Sequence, residues 1–350
     1  MKPYGVALIQ QETRVITDVR QRDEIVQSNL SRILELIDWT FLRLGNVKLA
    51  MFSEYGIIGQ YRPRSVDEWL AIAETVPGEV TDRIGAKAKS LGMYISGNVF
   101  ERDPDWPGRL FNTSFIVSPD GKVILKYRKH NGPNNLNTTY TGPGDVYTEY
   151  VRRYGEDALF PVVDTEIGRL SCMSCTDVVF PEMARAFGLK GAEIILHPTA
   201  EPYAPDHEAW DALRQARAYE NMCYLLSCNA GAFIGSNRPR MGYRGRSMIV
   251  SPLGRIESIA TAPGEAVVTG ALDIDALRLN RTRKPEAGHV FNSLVELRNE
   301  LFAPVYQQAG RWPNDHWASD KLQTTAETRA VATGIIDRLV AQGNLIPSKR

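Results

Sequence analysis

Two hydrophobic patterns alternate along the N-terminal part of the chain. Nearly unbroken apolar runs, typical of buried strands, occupy residues 4–10, 47–52 and 93–100. Between them, apolar residues recur three and four positions apart over residues 23–44 and 79–91, which predicts two amphipathic helices. Alternating strands and helices are typical of an α/β domain in which helices cover a sheet.

The same alternation continues through the rest of the chain. The further predicted elements are strands at residues 167–172 and 192–198, and helices at residues 181–189, 206–221, 291–301 and 325–342. No linker-like or low-complexity stretch interrupts the pattern. We therefore expect one large domain, residues 1–285, followed by a C-terminal extension, residues 286–350, that wraps a neighbouring subunit.

Two predicted hairpins resemble each other. Residues 117–123 read VSPDGKV, and residues 250–256 read VSPLGRI. In both, proline presets the turn and glycine supplies the positive φ that returns the strand. Either this hairpin chemistry recurs by chance, or the two halves of one sandwich are built alike.

The composition excludes several classes of protein. The 350 residues contain 41 Lys and Arg and 41 Asp and Glu, so no net positive charge favours nucleic-acid binding. No apolar run approaches the ~18 residues of a membrane helix, and no export signal precedes the first strand. Four cysteines suit a reducing compartment better than a disulfide framework. We expect a cytoplasmic protein that binds neither nucleic acid nor membranes.

Cys172 and Cys175 form a C-x-x-C pair. A zinc site would need histidines or a second close pair, and a redox pair would need a thioredoxin-like setting; the sequence shows neither. A small buried side chain is the better interpretation of Cys172. Cys175 lies between a strand and a helix, at the elbow where α/β enzymes place a nucleophile, so its role stays open between catalysis and packing.

Two charged residues follow other predicted strands. Glu54 ends the run VKLAMFSE, and α/β sheets bind ligands at the carboxyl ends of their strands. Glu54 is therefore either a general base or a rim acid in an ion pair. Lys129, in the run KYRKH, belongs either to a solvated basic patch or to a site where a cation stabilises a thiolate and an oxyanion.

The segments F-S-E at Glu54, Y-R-K-H at Lys129 and C-T-D-x-x-F-P-E-x-x-R at Cys175 occur in this order. With the opening VALIQ strand, FNTS, RAYEN and GRS, they cover residues 4–275. Together these motifs resemble the nitrilase (carbon–nitrogen hydrolase) superfamily. The resemblance implies an α/β fold of the four-layer α-β-β-α sandwich type, assembled as a homodimer or higher homo-oligomer.

The resemblance also implies roles for these residues. Cys175 would be the nucleophile, Glu54 the general base and acid, and Lys129 the cation that steadies a tetrahedral intermediate. The backbone N–H of Thr176 would complete the oxyanion hole. The small-molecule substrate would be an amide, and no metal or organic cofactor would be required.

One position departs from the family pattern. Many members carry a second glutamate after the lysine, where this chain has Asn137. Asn137 can accept a hydrogen bond from Lys129 but supplies no charge. Either Asn137 orients the lysine without a charge, which we favour, or another acid such as Glu149 folds in, or activity is altered. The long connection over residues 134–160 is expected to act as a lid that sets specificity.

Several polar and aromatic residues are candidates for the substrate pocket. They are Tyr55, Tyr140, His197, Thr199 and Tyr203. Carbamoylases also need a basic residue for the substrate carboxylate, and the loop SNRPRMGYRG offers Arg238, Arg240 and Arg244, two of which we expect to face solvent.

Three functions compete. True nitrilases usually show Cys-Trp-Glu, whereas this chain has Cys-Thr-Asp at Cys175, which favours a linear amide or an N-carbamoyl compound as the substrate. The second function is nitrile hydrolysis to an acid and ammonia. The third is a binding or assembly subunit that lost activity with the second glutamate; the retained Glu54, Lys129 and Cys175 argue against it.

Overall fold

The computed structural model describes residues 1–60, 64–130, 140–204, 209–236, 242–284, 291–308, 312–319 and 325–348. The strands in this part of the chain are β1 Tyr4–Gln10, β2 Glu12–Arg14, β3 Val47–Phe52, β4 Tyr94–Arg102, β5 Leu110–Val117, β6 Val123–Arg128, β7 Val162–Thr165, β8 Gly168–Cys172, β9 Ile194–Thr199, β10 Tyr224–Asn229, β11 Ala232–Ile234, β12 Met248–Val250, β13 Ile256–Ile259 and β14 Ala266–Leu272. The α-helices are α1 Arg22–Leu44, α2 Val66–Ile72, α3 Glu79–Leu91, α4 Tyr147–Tyr154, α5 Pro181–Leu189, α6 Ala209–Glu220, α7 Ile274–Thr282, α8 Asn299–Gln308 and α9 Thr325–Ala341.

Two six-stranded sheets form the centre of the molecule. Their strand orders are β14-β1-β3-β4-β5-β6 and β13-β12-β10-β9-β8-β7. Side chains of β1 alternate between two cores, as the period of a strand requires. Val6 and Leu8 pack with Leu170 and Ile195 of the second sheet, whereas Ile9 packs on the other face with the helices.

Helices cover the outer face of each sheet. The apolar faces of α1 and α3 pack on the first sheet, and those of α5 and α6 pack on the second. Apolar positions three and four apart produce these faces, as in Ile33 and Ile37 of α1. The layers are therefore helix, sheet, sheet and helix, and the predicted α-β-β-α sandwich is confirmed.

The two sheets repeat one topology. In each, three parallel strands lie between one antiparallel edge strand and an antiparallel hairpin: β1, β3 and β4 in the first sheet correspond to β8, β9 and β10 in the second. The two hairpins even share a register shift, at Ile116/Val117 and at Ile249/Val250. The similar hairpin sequences thus occupy equivalent places, and of the two interpretations the structure supports halves that are built alike.

The C-terminal part differs from its prediction in one helix. The prediction of a helix over residues 291–301 is wrong, because α8 begins only at Asn299. The side chain of Asn292 instead accepts the backbone N–H groups of Leu294 and Val295 at 3.1 and 3.3 Å. Such local bonds from asparagine favour a turn over a helix. Helix α6 starts at Ala209 in the described residues, so the start predicted at residue 206 lies outside them.

The predicted lid is partly helical. Within residues 140–160 the chain forms α4, and Tyr150 of this helix packs in a small buried cluster with Trp106 and Phe111. The preceding residues, 131–139, include Asn137 and lie outside the described part of the chain.

A short strap from the C-terminal extension holds this region. Asp315 N–H donates to the carbonyl oxygen of Gly144 at 3.0 Å, and the Asp315 carboxylate accepts both the N–H and the hydroxyl of Thr148. Arg109 of the domain donates to the carbonyl oxygens of Trp317 and Ser319 at 2.7 and 2.9 Å. Residues 312–319 are therefore bonded to the large domain of the same chain.

Among the residues described, none of the helices has the length and apolar character needed to cross a bilayer.

The repeated hairpins predict matched effects of glycine substitution. Gly121 and Gly254 have φ of 82° and 72°, where an added Cβ is strained, so Gly121→Ala and Gly254→Ala should each cost about 1–2 kcal/mol. Gly144 is the control, because a Cβ there meets no atom within 4 Å and its φ is not positive. Urea unfolding should show Gly144→Ala within about 0.5 kcal/mol of the parent. Equal stability of all three variants would contradict the turn assignment.

Candidate active site

Three strand ends bring the predicted catalytic residues together. Glu54 lies two residues after β3, Lys129 directly follows β6, and Cys175 lies three residues after β8. All three side chains are buried. Glu54 and Lys129 both lie near enough to shift the pKa of the Cys175 thiol, in opposite directions: Glu54 raises it and Lys129 lowers it.

Glu54 is held by two donors. Lys129 Nζ donates to Glu54 Oε1 at 3.0 Å, and Asn112 Nδ2 donates to the same oxygen at 2.7 Å. Asn112 also binds Lys129, since the backbone carbonyl oxygen of Asn112 accepts the backbone N–H of Lys129 at 2.8 Å. Asn98 in turn donates to Asn112 Oδ1 at 2.7 Å. This amide network fixes the carboxylate and the ammonium before any ligand enters.

Lys129 remains a cation although it is buried. Burial, the largest single influence, would lower its pKa, but the negative charge on Glu54 and the other neighbouring groups together outweigh burial and hold the pKa of Lys129 well above its usual value. The ring centroid of Tyr140 lies 5.8 Å from Lys129 Nζ and supports the cation further.

The solvated basic patch is the wrong interpretation of the run KYRKH. Arg128 is 1% exposed, forms a double hydrogen bond with Glu101 and lies over the Phe111 ring at 3.9 Å. Lys126 donates to the same Glu101 carboxylate at 2.7 Å. Alternate side chains of β6 thus anchor the strand that presents Lys129.

Cys175 occupies a strained elbow. Its φ is 46°, in the left-handed region that a side chain occupies only at a cost of about 1–3 kcal/mol. Asp177 stabilises the turn: its carboxylate accepts the Ser174 N–H at 3.0 Å and the Tyr127 hydroxyl at 2.7 Å. The sequence carried a signal for this cap, the S-x-x-D spacing, which the motif-based analysis missed.

The Cys175 thiol is protonated at rest. Burial, followed by the nearby charge of Glu54, raises its pKa to about 11. Lys129, the Thr199 hydroxyl and the Ala200 backbone N–H oppose this rise. A thiol with this pKa reacts as a nucleophile at neutral pH only with a base to take its proton, and Glu54 is a carboxylate close enough to influence it.

His197 supports the elbow from beneath. It is fully buried, and its two ring nitrogens lie 2.9 Å from the Cys175 carbonyl oxygen and 2.9 Å from Ser227 Oγ. A carbonyl oxygen only accepts, so Nε2 carries the proton and Nδ1 accepts from Ser227. Burial and the charge of Arg214 lower the pKa of His197 to about 3, so it is neutral. His197 therefore fixes the backbone of the elbow at Cys175.

The other predicted residues fall into different places. Tyr55 and Tyr140 are buried and both pack near the Phe100 ring, with centroid distances of 5.1 and 6.1 Å. Thr199 is buried and influences the pKa of the Cys175 thiol. Thr176 directly follows Cys175 in the elbow. Tyr203 is 72% exposed, so the structure does not bring it into this buried group.

Two charged candidates form ion pairs with other residues. Glu149, considered as a replacement acid, lies on α4 and pairs with Arg152 and Arg153 at 2.6 Å. Arg244 is buried and pairs with Glu201 and Asp211, each at 3.2 Å. Arg238, Arg240 and Asn137 lie outside the described residues. In the described part of the chain, no group of His, Cys, Asp and Glu could hold a metal ion.

The profile of the carbon-nitrogen hydrolase family matches residues 5–282. This range covers most of the 350 residues, so the chain belongs to the carbon-nitrogen hydrolase family. The resemblance predicted from the motifs is confirmed, and the protein is a carbon–nitrogen hydrolase.

Individual relatives agree with this assignment. Omega-amidase NIT2 of Xenopus tropicalis is 28% identical over 232 residues, which are 65% of this chain and 79% of that protein. Nit3 of Saccharomyces cerevisiae, in branch 10 of the nitrilase superfamily, has a similar fold, with a TM-score of 0.64 and 23% identity over 82% of this chain and 96% of its own. A variant of the amidase from Nesterenkonia sp. AN1, carrying acrylamide on its active-site cysteine, gives a TM-score of 0.58 and 20% identity over 86% of this chain and 99% of its own.

The buried ion pair predicts a double-variant effect on stability. Lys129→Gln leaves the Glu54 carboxylate buried without its cation, which should cost about 3–5 kcal/mol. Glu54→Gln combined with Lys129→Gln removes both charges and should recover most of that loss. Urea unfolding of the single and double variants measures both values. If the double variant is as unstable as Lys129→Gln, the pair is not coupled.

Proposed function

We propose that Cys175, Glu54 and Lys129 are the catalytic residues of this hydrolase, which cleaves a linear amide or an N-carbamoyl compound through a thioester. The observation that carries the proposal is the buried contact of 3.0 Å between Lys129 Nζ and Glu54 Oε1, with both charges acting on the pKa of the buried Cys175 thiol. A base, a cation and a nucleophile in one buried site are the parts that acyl transfer needs.

In the first half-reaction, Glu54 takes the thiol proton as the sulfur attacks the carbonyl carbon. The negative charge that develops on the carbonyl oxygen is stabilised by Lys129 and by the backbone N–H of Thr176. The C–N bond then breaks, and the proton on Glu54 passes to the leaving nitrogen. Ammonia or an amine departs, and the acyl group remains on Cys175 as a thioester.

In the second half-reaction, water replaces the leaving group. Glu54, again unprotonated, takes a proton from the water, whose oxygen attacks the thioester carbon. Collapse of the intermediate releases the acid and returns the proton to the Cys175 sulfur. Glu54 thus serves as base and acid twice in each cycle, which requires a carboxylate held within reach of both the sulfur and the substrate.

The residues after the nucleophile support an amide rather than a nitrile. Thr176 and Asp177 follow Cys175, and the Asp177 carboxylate is occupied by Ser174 and Tyr127. The similar omega-amidase supports the same choice. Nitrile hydrolysis remains the second candidate. The buried Glu54–Lys129 contact close to Cys175 argues against a non-enzymatic binding subunit.

The expected homodimer or higher homo-oligomer, and the cytoplasmic location, belong to the same proposal. Exposed apolar side chains support self-association: Phe180 and Leu189 flank α5, and Leu301, Phe302 and Val305 lie on α8. Sedimentation equilibrium of the full chain measures the mass of the assembly.

Ammonia release tests the reaction. Simple amides, N-carbamoyl amino acids and nitriles would each be offered as substrates to three proteins: the parent, Cys175→Ala and Cys172→Ala. We expect release from one of the first two classes, a loss of at least about a thousandfold in Cys175→Ala, and near-normal turnover in Cys172→Ala. Mass spectrometry of quenched turnover should find the acyl group on the Cys175 peptide.

Cys172 is the matched control because it is a buried cysteine three positions before Cys175 and is equally free of disulfides. Turnover that persists in Cys175→Ala would overturn the assignment of the nucleophile. Release from nitriles alone would replace the amide substrate by a nitrile.

A further inference from the structure

The repeated topology places a second buried carboxylate near the nucleophile. Strand β3 corresponds to β9. Glu54 lies two residues after Phe52, the last residue of β3, and Glu201 lies two residues after Thr199, the last residue of β9. Both carboxylates are 1% exposed. Each is paired with buried cations: Lys129 serves Glu54, and two arginines serve Glu201.

Glu201 is fixed by charges on both oxygens. Arg214 donates to Oε1, and Arg244 Nη1 donates to Oε2 at 3.2 Å. Both arginines also pair with Asp211. Both oxygens of the Glu201 carboxylate thus accept charge-assisted hydrogen bonds from guanidinium groups, which hold the carboxylate in place. Glu201 is therefore suited to orient a neighbour.

The neighbour that Glu201 orients is Thr199. The Thr199 hydroxyl donates to Glu201 Oε1 at 2.8 Å. Thr199 ends β9, the strand whose His197 Nε2 lies 2.9 Å from the Cys175 carbonyl oxygen, and its hydroxyl lowers the pKa of the Cys175 thiol by hydrogen bonding. Since a hydroxyl has one proton, it cannot donate to Glu201 and to the sulfur at the same time. After the thiol loses its proton, rotation of the same hydroxyl gives the thiolate a donor.

We propose that Thr199 and Glu201 are a positioning pair for the nucleophile, in which Glu201 holds the Thr199 hydroxyl against the sulfur of Cys175. The pair acts on the reaction through Cys175, so this inference rests on the proposed function, in which Cys175 is the nucleophile. The other charged or titratable groups near the sulfur are Glu54 and Lys129 from the first sheet, Arg214 from α6, and neutral His197 from β9.

The rate of Cys175 alkylation by iodoacetamide between pH 6 and 9 tests the pair without any substrate. This rate follows the thiolate fraction, so a change of one unit in the thiol pKa changes it about tenfold. Thr199→Val keeps the shape but removes the hydroxyl, and should slow alkylation about tenfold and lower kcat more than it raises KM. Thr199→Ser restores the hydroxyl and should restore both values.

Glu201→Gln should act in the opposite direction. It removes a negative charge and frees the Thr199 hydroxyl to donate to the sulfur, so alkylation should become faster. If Glu201→Gln does not fold, the two Thr199 variants decide the question, because they leave both arginine pairs in place.

Thr113→Val is the matched control. Thr113 is also fully buried on a strand and donates to a buried carboxylate, Glu101 Oε2, at 2.6 Å. It should lose comparable stability while its Cys175 alkylation rate stays within about twofold of the parent. Peptide mapping identifies the alkylated cysteine in every variant.

Two results would overturn the positioning pair: a folded Thr199→Val protein that is alkylated at the parent rate, or equal slowing in Thr113→Val. Failure of the proposed nucleophile gives a different result, namely turnover that persists in Cys175→Ala. The two inferences therefore fail separately.

Discussion

The Glu54–Lys129 ion pair is the interaction on which the site depends. Two charges are buried between protein layers at an N–O distance of 3.0 Å, and their attraction must offset the loss of hydration. Asn112 makes this arrangement feasible, because it donates to the carboxylate and accepts the lysine backbone N–H. The same low polarity that makes the pair costly strengthens its effect on charge that develops at Cys175. A site of this kind is prepared by folding, so little reorganisation is left for the reaction itself.

The sandwich explains why these charges can meet. The carboxyl ends of parallel strands in both sheets lie near one region, and the residues that follow β3, β6 and β8 converge there. The two halves contribute unequally: the first supplies the carboxylate and the cation, and the second supplies the sulfur on a backbone turn that only a rigid surrounding can hold at a φ of 46°. His197 and Asp177 provide that rigidity from opposite ends of the elbow.

Local sequence patterns predicted most of the elements and the position of Glu54, Lys129 and Cys175 just after strands, because strand periods and strand ends are visible in a single segment. The pattern could not show which distant side chains pair. Asn112 and Glu54 are 58 positions apart, and their contact depends on sheet order, which periodicity does not record. The wrong prediction of a helix over residues 291–301 has a similar cause. Apolar spacing predicted a helix there, but the hydrogen bond from Leu294 N–H to the Asn292 side chain forms a turn instead. The exposed Tyr203 shows that lying just after a strand does not by itself bring a side chain into the site.

The pairing of β1 with β14 has a consequence for synthesis on the ribosome. Tyr4 lies opposite Leu272, so β1 leaves the exit tunnel long before β14, the strand that pairs with it. At ~5–20 residues per second this delay is on the order of tens of seconds. Until then one edge of β1 has no strand beside it, and such edges invite pairing with other chains. A nascent chain of this protein is therefore most vulnerable to aggregation before residue 272 is made, and folding helpers that shield its N-terminal strand would act in that interval.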